Sequence, residues 1–499
     1  TLMSVDVGTV FNGIGYTGFQ PPDTIGASGY NYVIEMVNLT MRYYDKGGNQ
    51  LLSTSLTSFF SPLGGVLQGS DPVIVFDTLT GQFAVGMLDY NTSNASRFDF
   101  AVSNDENPLD GWQYQRYNMN DGTGGFDFAD YPKLGFNADG YFATFNMFPN
   151  LSRFDHVNSL AIDKATLTGN RQAVPGGSSN FTLVPAATLD ANPGDPEWLV
   201  EANSGSGNVL KVYQAYTTGA PFLVGSIPVP SYSNPPTAAQ KGSSTRITTI
   251  DDRLFNATMI YGQLLTSHTV SSGGVARARW YQIDTTQGDP YLFQEGEIDQ
   301  GPGVYTYFPT IAMNYEGDIG LTFMESSSSE YLSMYVTGQS VYDWGSGAVQ
   351  TPVVTHPGTG VYTSSRAGDY SGITVDAGDG YTFWAFNEYK GSGVWATGIA
   401  NFGVSPNAAP VGGNGRSLQV AAFALPTAIP SATADSTSTT TSSTTTDQPA
   451  TGADWLFRGV ETEQADVVAL GLQQDATVPV EVTGVTLADP DNLWNGTNL

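Results

Sequence analysis

An all-β fold, a seven-bladed β-propeller with a Ser/Thr-rich linker and a short C-terminal strand-rich tail, is what this 499-residue chain predicts, on three observations. A hairpin of alternating apolar residues recurs seven times. Third and fourth strand-like stretches follow most copies, so that a four-stranded unit returns about every 40 to 65 residues, as blades of a propeller do. Only 13% of residues are charged and 58 are Gly, the composition of a β-rich chain with many turns.

In chain order the hairpins are read at residues 32–44, 72–88, 134–148, 198–213, 247–261, 311–324 and 373–386. Their turns carry Asn-Ala-Asp-Gly, Glu-Gly-Asp or Asp-Ala-Gly-Asp-Gly, residues that tolerate positive φ between paired strands. Third strands are expected at 98–102, 160–163, 279–283, 331–336 and 395–401, and fourth strands at 113–117, 181–184 and 222–227. Residues 5–14 alternate like a strand with no local partner, and pairing with residues 373–401 would close the last blade.

The propeller is expected over residues 1–403, an extension strand over 404–425, a linker over 426–451 and the tail over 452–499. The linker reads PTAIPSATADSTSTTTSSTTTDQPAT, with almost nothing to bury. In the tail, Val478, Val480, Val482 and Val485 form an alternating edge. Such an edge needs cover, from its own propeller or as an added strand on a neighbouring copy.

A net charge of −29 and a pI near 4.1 repel phosphate backbones and anionic headgroups, which excludes nucleic acid as a partner. No apolar run approaches the roughly 20 residues of a membrane-spanning helix, so no membrane insertion is expected. The absence of cysteine removes disulfides, Zn–thiolate sites and thiol nucleophiles. The start at Thr1, without Met or leader, fits a mature exported form. Sequons stand at Asn38, Asn91, Asn94, Asn150, Asn180, Asn256 and Asn495, about as many as chance places in so Asn-, Ser- and Thr-rich a chain.

Four stretches, at 21–38 (PPDTIGASGYNYVIEMVN), 70–77 (SDPVIVFD), 130–148 (DYPKLGFNADGYFATFNMF) and 365–389 (SRAGDYSGITVDAGDGYTFWAFNEY), resemble large secreted bacterial proteins. These are described as sialidase-like or uncharacterised β-propeller surface proteins, and the likeness runs over residues 10–403. The resemblance implies a propeller and an exported compartment, and no particular reaction.

The residues that could carry chemistry begin with Asp23, Asp71, Asp130 and Asp369, each just before a first strand, where channel-lining strands would gather them at one mouth. Their expected task is to cap backbone N–H groups at each blade's start. A cation site or a glycan-cleaving carboxylate pair is the alternative. Arg246, Arg279 and Arg366 are candidates for a sialidase-like carboxylate clamp, although residues 374–384 are only a distorted S-x-D-x-G-x-T-W box. Turns at Asn104-Asp105-Glu106 with Asp110, Asp121 with Asp127, and Asp376 with Asp379 could take Ca²⁺. His156, His268 and His356 have no metal-ligand spacing. Trp112, Tyr114, Trp280, Tyr281, Trp344, Trp384 and Trp395 are read as exposed aromatics for sugar faces or blade interfaces.

The function expected from these features is a non-catalytic extracellular scaffold or self-assembling filament subunit, joined through its tail to other copies or to a cell-surface component. The alternative is a glycan-binding or glycan-processing propeller that uses the channel mouth.

Overall fold

A strand buried on both faces has no polar residue to alternate with, and the innermost strands of this chain are of that kind. The computed structural model describes residues 3–91, 95–120, 127–150, 153–364 and 366–404. The tail with Val478, Val480, Val482 and Val485, the linker, the extension strand beyond Val404, Asn94, Asp121 and Asn495 lie outside the described residues.

The architecture is an all-β propeller. Antiparallel ladders sort the described strands into seven groups of four, plus one two-stranded hairpin, Ala238–Gln240 with Ser243–Ile247. The inner strands are Ile25–Ser28, Gly69–Asp77, Asp127–Phe136, Val184–Thr188, Leu254–Ile260, Val304–Met313 and Gly372–Val375. Side chains from all seven line one central cavity of about 90 Å³. In the seventh group the outermost strand is Asp6–Gly15, which pairs antiparallel with Ala396–Gly403 and so ties the start of the described chain to its end.

Four expected strand boundaries are corrected. The hairpins at 32–44 and 198–213 are the second and third strands of their groups, because the inner strands Ile25–Ser28 and Val184–Thr188 precede them. Those inner strands are short and largely buried, so they lack the two-residue alternation that marks a strand in sequence. The fourth strand expected at 181–184 is instead Gly169–Ala173, and Val184 already begins the next group. In 247–261 the hairpin turn falls at Tyr261-Gly262, after a single inner strand, Leu254–Ile260.

One backbone device recurs. Asp23, Asp71, Tyr131, Thr182, Ile250, Phe308 and Asp369 all have φ between 47° and 63°, and each stands at or shortly before the functional start of an inner strand. At three of them the ladder register shifts, between Ser70 and Val73, Asp130 and Lys133, and Tyr307 and Thr310, with Pro72, Pro132 and Pro309 inside the bulges. A left-handed residue followed by proline bends the strand and re-aims the flanking side chains toward the centre.

Between the third, fourth and fifth groups the inner strands come close enough to bond in parallel, Phe136 beside Ala187 and Ala186 to Thr188 beside Ala257 to Met259. The three groups therefore share one twelve-stranded sheet. Gly135 permits this, since a Cβ there would collide with the Ala186 carbonyl. Elsewhere aromatic side chains fill the wedges, with Trp280, Trp384 and Trp395 fully buried.

Candidate functional site

The left-handed residues gather at one mouth of the channel, where the inner strands begin. Asp23, Asp71 and Asp369 are all buried there, and so is Lys133, two residues beyond the bulge residue Tyr131. The Lys133 ammonium lies beside two adjacent aromatic rings, 4.1 Å from the centroid of Tyr131 and 4.3 Å from that of Tyr370, and the rings themselves are 4.7 Å apart. A desolvated cation over aromatic faces recovers from the ring quadrupoles part of what it loses in hydration.

The carboxylates around it are tied to side chains. Tyr370 donates its hydroxyl to Asp71 Oδ2 at 2.7 Å, Asn38 donates to Asp23 Oδ2 at 2.6 Å, and Arg366 reaches Asp369 Oδ2 at 2.5 Å. Asn38 also accepts from the Asp71 backbone N–H at 3.2 Å, which links the first and second groups. Tyr131 donates to the Asp369 carbonyl at 2.7 Å, across the channel from the third group to the seventh. Arg253 completes the ring. Its guanidinium forks onto Asp251, with both bonds at 2.7 Å, and stacks over Tyr131 at 4.3 Å and Phe181 at 5.0 Å.

Burial pushes the Lys133 ammonium well down from its ordinary range and Arg253 adds to that, while Asp71, Asp369 and Asp23 act in the opposite sense. Tyr131 and Tyr370 are pushed well up, again chiefly by burial. Glu388 lies behind the mouth and accepts the Gly368 N–H at 2.7 Å. Burial, helped by the charge of Asp369, raises it to about 8 against the hydrogen bonds from Tyr362 and Gly368.

The structure thus places Asp23, Asp71 and Asp369 around one cation, and Asp130 close enough to raise the Tyr370 phenol. The hydrogen bonds named above join Asp71, Asp23 and Asp369 to the side chains of Tyr370, Asn38 and Arg366. Lys133, Arg253, Tyr131 and Tyr370 escaped the sequence reading, and Asn38 entered it only as a sequon. Their signal was the position itself: Lys133 follows Asp130-Tyr131-Pro132, and Arg253 precedes an inner strand in Asp251-Asp252-Arg253.

The remaining candidates are used locally. Arg246 bonds Thr237 and Tyr305, and Arg279 pairs with Glu297 and the carbonyls of Pro230 and Ser231, so only Arg366 of the three reaches the mouth. In the distorted box, Asp376 accepts from Trp384 Nε1 and pairs with Lys46. Asp105, Asp376 and Asp379 each accept backbone N–H groups of their own turns, and Glu106 accepts from Asn31. Among the described residues no group of three or more His, Asp or Glu side chains could hold a metal ion. His268 is wedged between the Asp252 carbonyl and Tyr281, and burial drops it to about 3. His356 bonds the Phe11 carbonyl and is lowered to about 4 by the same cause, while His156 pairs with Asp155.

Among the sequons, Asn38, Asn180 and Asn256 each donate their side-chain nitrogen to a backbone carbonyl, of Pro21, Pro175 and Ile311 in turn. Asn150 is exposed and Asn91 half-buried. Of the aromatics, Trp280, Tyr281, Trp384 and Trp395 are buried between groups, and Trp112, Tyr114 and Trp344 are half-buried.

No family model and no curated protein matches the chain. Solved structures that resemble it are propellers and kin at low identity. A protein of unknown function from Dyadobacter fermentans is 8% identical, with a TM-score of 0.42, over 81% of this chain and 100% of that one. The Dos1 propeller is 10% identical, with a TM-score of 0.36, over 81% and 96%. Trypanosoma rangeli sialidase in complex with sialic acid is 10% identical, with a TM-score of 0.35, over 73% of this chain and 57% of that one. Likenesses this distant carry no argument about activity.

Proposed function

We propose that the propeller is the non-catalytic body of an extracellular or cell-surface protein, a scaffold joined to neighbouring copies or to a surface component through residues 452–499. One observation carries the non-catalytic part: Lys133, packed against Tyr131 and Tyr370, lines the narrow central cavity where a catalytic propeller would admit substrate. That cavity, at about 90 Å³, takes a few waters and falls well short of the roughly 300 Å³ at which ligand pockets begin. Asp369 is paired with Arg366, and Asp71 and Asp23 are bonded to Tyr370 and Asn38, so these carboxylates are engaged within the chain instead of being presented to Ca²⁺ or a substrate. The assembly part rests on the alternating valines of the tail.

Mass photometry of the full chain, beside a form ending at Gly403, tests the assembly. Multiples of the monomer mass are expected only with the tail, and a strictly monomeric full chain refutes it. Turnover of any glycan that is abolished by Lys133→Met in a folded variant would instead establish the glycan-processing alternative.

A further inference from the structure

At the opposite end of the inner strands the fourth group opens a cleft of about 350 Å³, bounded by the turn after Val184–Thr188 and by Trp198, Gln214 and Gly262. Trp198 and Gln214 are direct partners on adjacent strands, and Gln214 is in turn the partner of Phe222, so the three side chains stand in one row on one face. Phe222 is 43% exposed and stacks on Tyr216, itself 42% exposed, with centroids 6.3 Å apart and planes 20° from parallel. Trp198 packs partly on the core and turns the rest of its indole to the cleft. Among the described residues neither its Nε1–H nor the Gln214 amide has a hydrogen-bond partner, whereas Tyr232, Tyr281 and Trp395 use theirs internally.

We propose that this cleft binds a neutral oligosaccharide, one ring lying against Trp198 with hydroxyls bonded to Gln214 and Asp190, and the chain continuing over the Tyr216–Phe222 platform. The chemistry selects this ligand. A flat apolar ring beside an unpaired amide and indole N–H, and beside Asp190, whose Oδ2 takes the Tyr261 N–H, matches a pyranose, which presents C–H faces and a girdle of hydroxyls. The volume suits roughly one or two sugar rings. Asp190 and Asp195 stand on the rim, no Lys, Arg or His lines the cleft, and the net charge is −29, so acidic sugars are repelled.

Calorimetric titration of the full-length protein with cellohexaose, maltohexaose and chitohexaose, beside an oligogalacturonate of the same length, tests the assignment. At least one neutral hexaose is expected to bind below about 5 mM, and the galacturonate not at all. Trp198→Ala and Gln214→Ala should each weaken binding about tenfold or more while the protein stays folded, and Trp198→Tyr should retain most of it. Silence from all three neutral sugars, binding that ignores both alanine variants, or equal binding of the acidic sugar overturns the proposal. Hydrolysis of a bound hexaose would overturn the non-catalytic reading and leave this one standing.

Discussion

The region where the inner strands begin and the cleft beside the end of Val184–Thr188 use polar side chains in opposite ways. Where the strands begin, Asp23, Asp71, Asp369, Lys133 and Arg253 bond or face one another. Where the fourth strand ends, Trp198 and Gln214 face a cleft with hydrogen-bonding groups unmet inside the protein. Polar groups that satisfy each other hold a fold together, and polar groups left facing solvent are available to a ligand. The contrast predicts that substitutions in the first region alter stability and those in the cleft alter binding.

The strongest break of that contrast is Lys133→Met. Removing the cation leaves Asp71, Asp369 and Asp23 facing one another in a desolvated mouth, and urea denaturation should show a loss of about 3 kcal/mol. A variant as stable as wild type would mean that those carboxylates are neutral already. Gly135→Ala comes next, at about 2 kcal/mol, because its methyl group meets the Ala186 carbonyl of the next inner strand. Thermal melts of that variant should fall while the Trp198 cleft is undisturbed.

Glu388 sharpens the same contrast through pH. Its folded value of about 8 lies above the ordinary value of 4.5, so between these pH values the folded protein holds a proton that the unfolded chain has released. Stability from this group is full below pH 4.5, declines as pH rises and is gone above about 8. Burial raises Glu325 to about 8 and Glu35 to about 7 in the same sense. The melting temperature should therefore be higher at pH 5 than at pH 8, and Glu388→Gln should flatten part of that slope; an unchanged slope assigns it to the other buried carboxylates. The smallest effect is expected for Trp198→Ala, which should cost less than about 1 kcal/mol because the indole is only half-buried. A larger loss would make Trp198 a packing residue.

Much of the fold was legible because the second and third strands of each group alternate and their turns carry Gly, Asn and Asp. The inner strands were harder to place: Ile25–Ser28 and Val184–Thr188 are four and five residues long and mostly buried, so they carry no alternation to find. The same burial on both faces hid Trp280 and Trp395, which look like surface aromatics when only a period of two is assumed. Where the inner strands begin, the aspartates announced themselves by recurring before first strands. Lys133 did not, since a lone lysine in a strand ordinarily reaches for water, and only the tertiary pairing of Tyr131 with Tyr370 gives it an interior place. Trp198 was legible as a strand residue and nothing more, because its value as a ligand face comes from the partners set opposite it by register.

The seam between Asp6–Gly15 and Ala396–Gly403 has a mechanical meaning. Asp6 stands opposite Gly403 and Gly15 opposite Ala396, so the chain enters and leaves the seam at the same end. Tension applied across those two points peels the strands apart one hydrogen bond at a time instead of shearing the whole ladder at once. The ring would therefore yield first at this seam and at low force, while the twelve-stranded sheet shared by the third, fourth and fifth groups is loaded last.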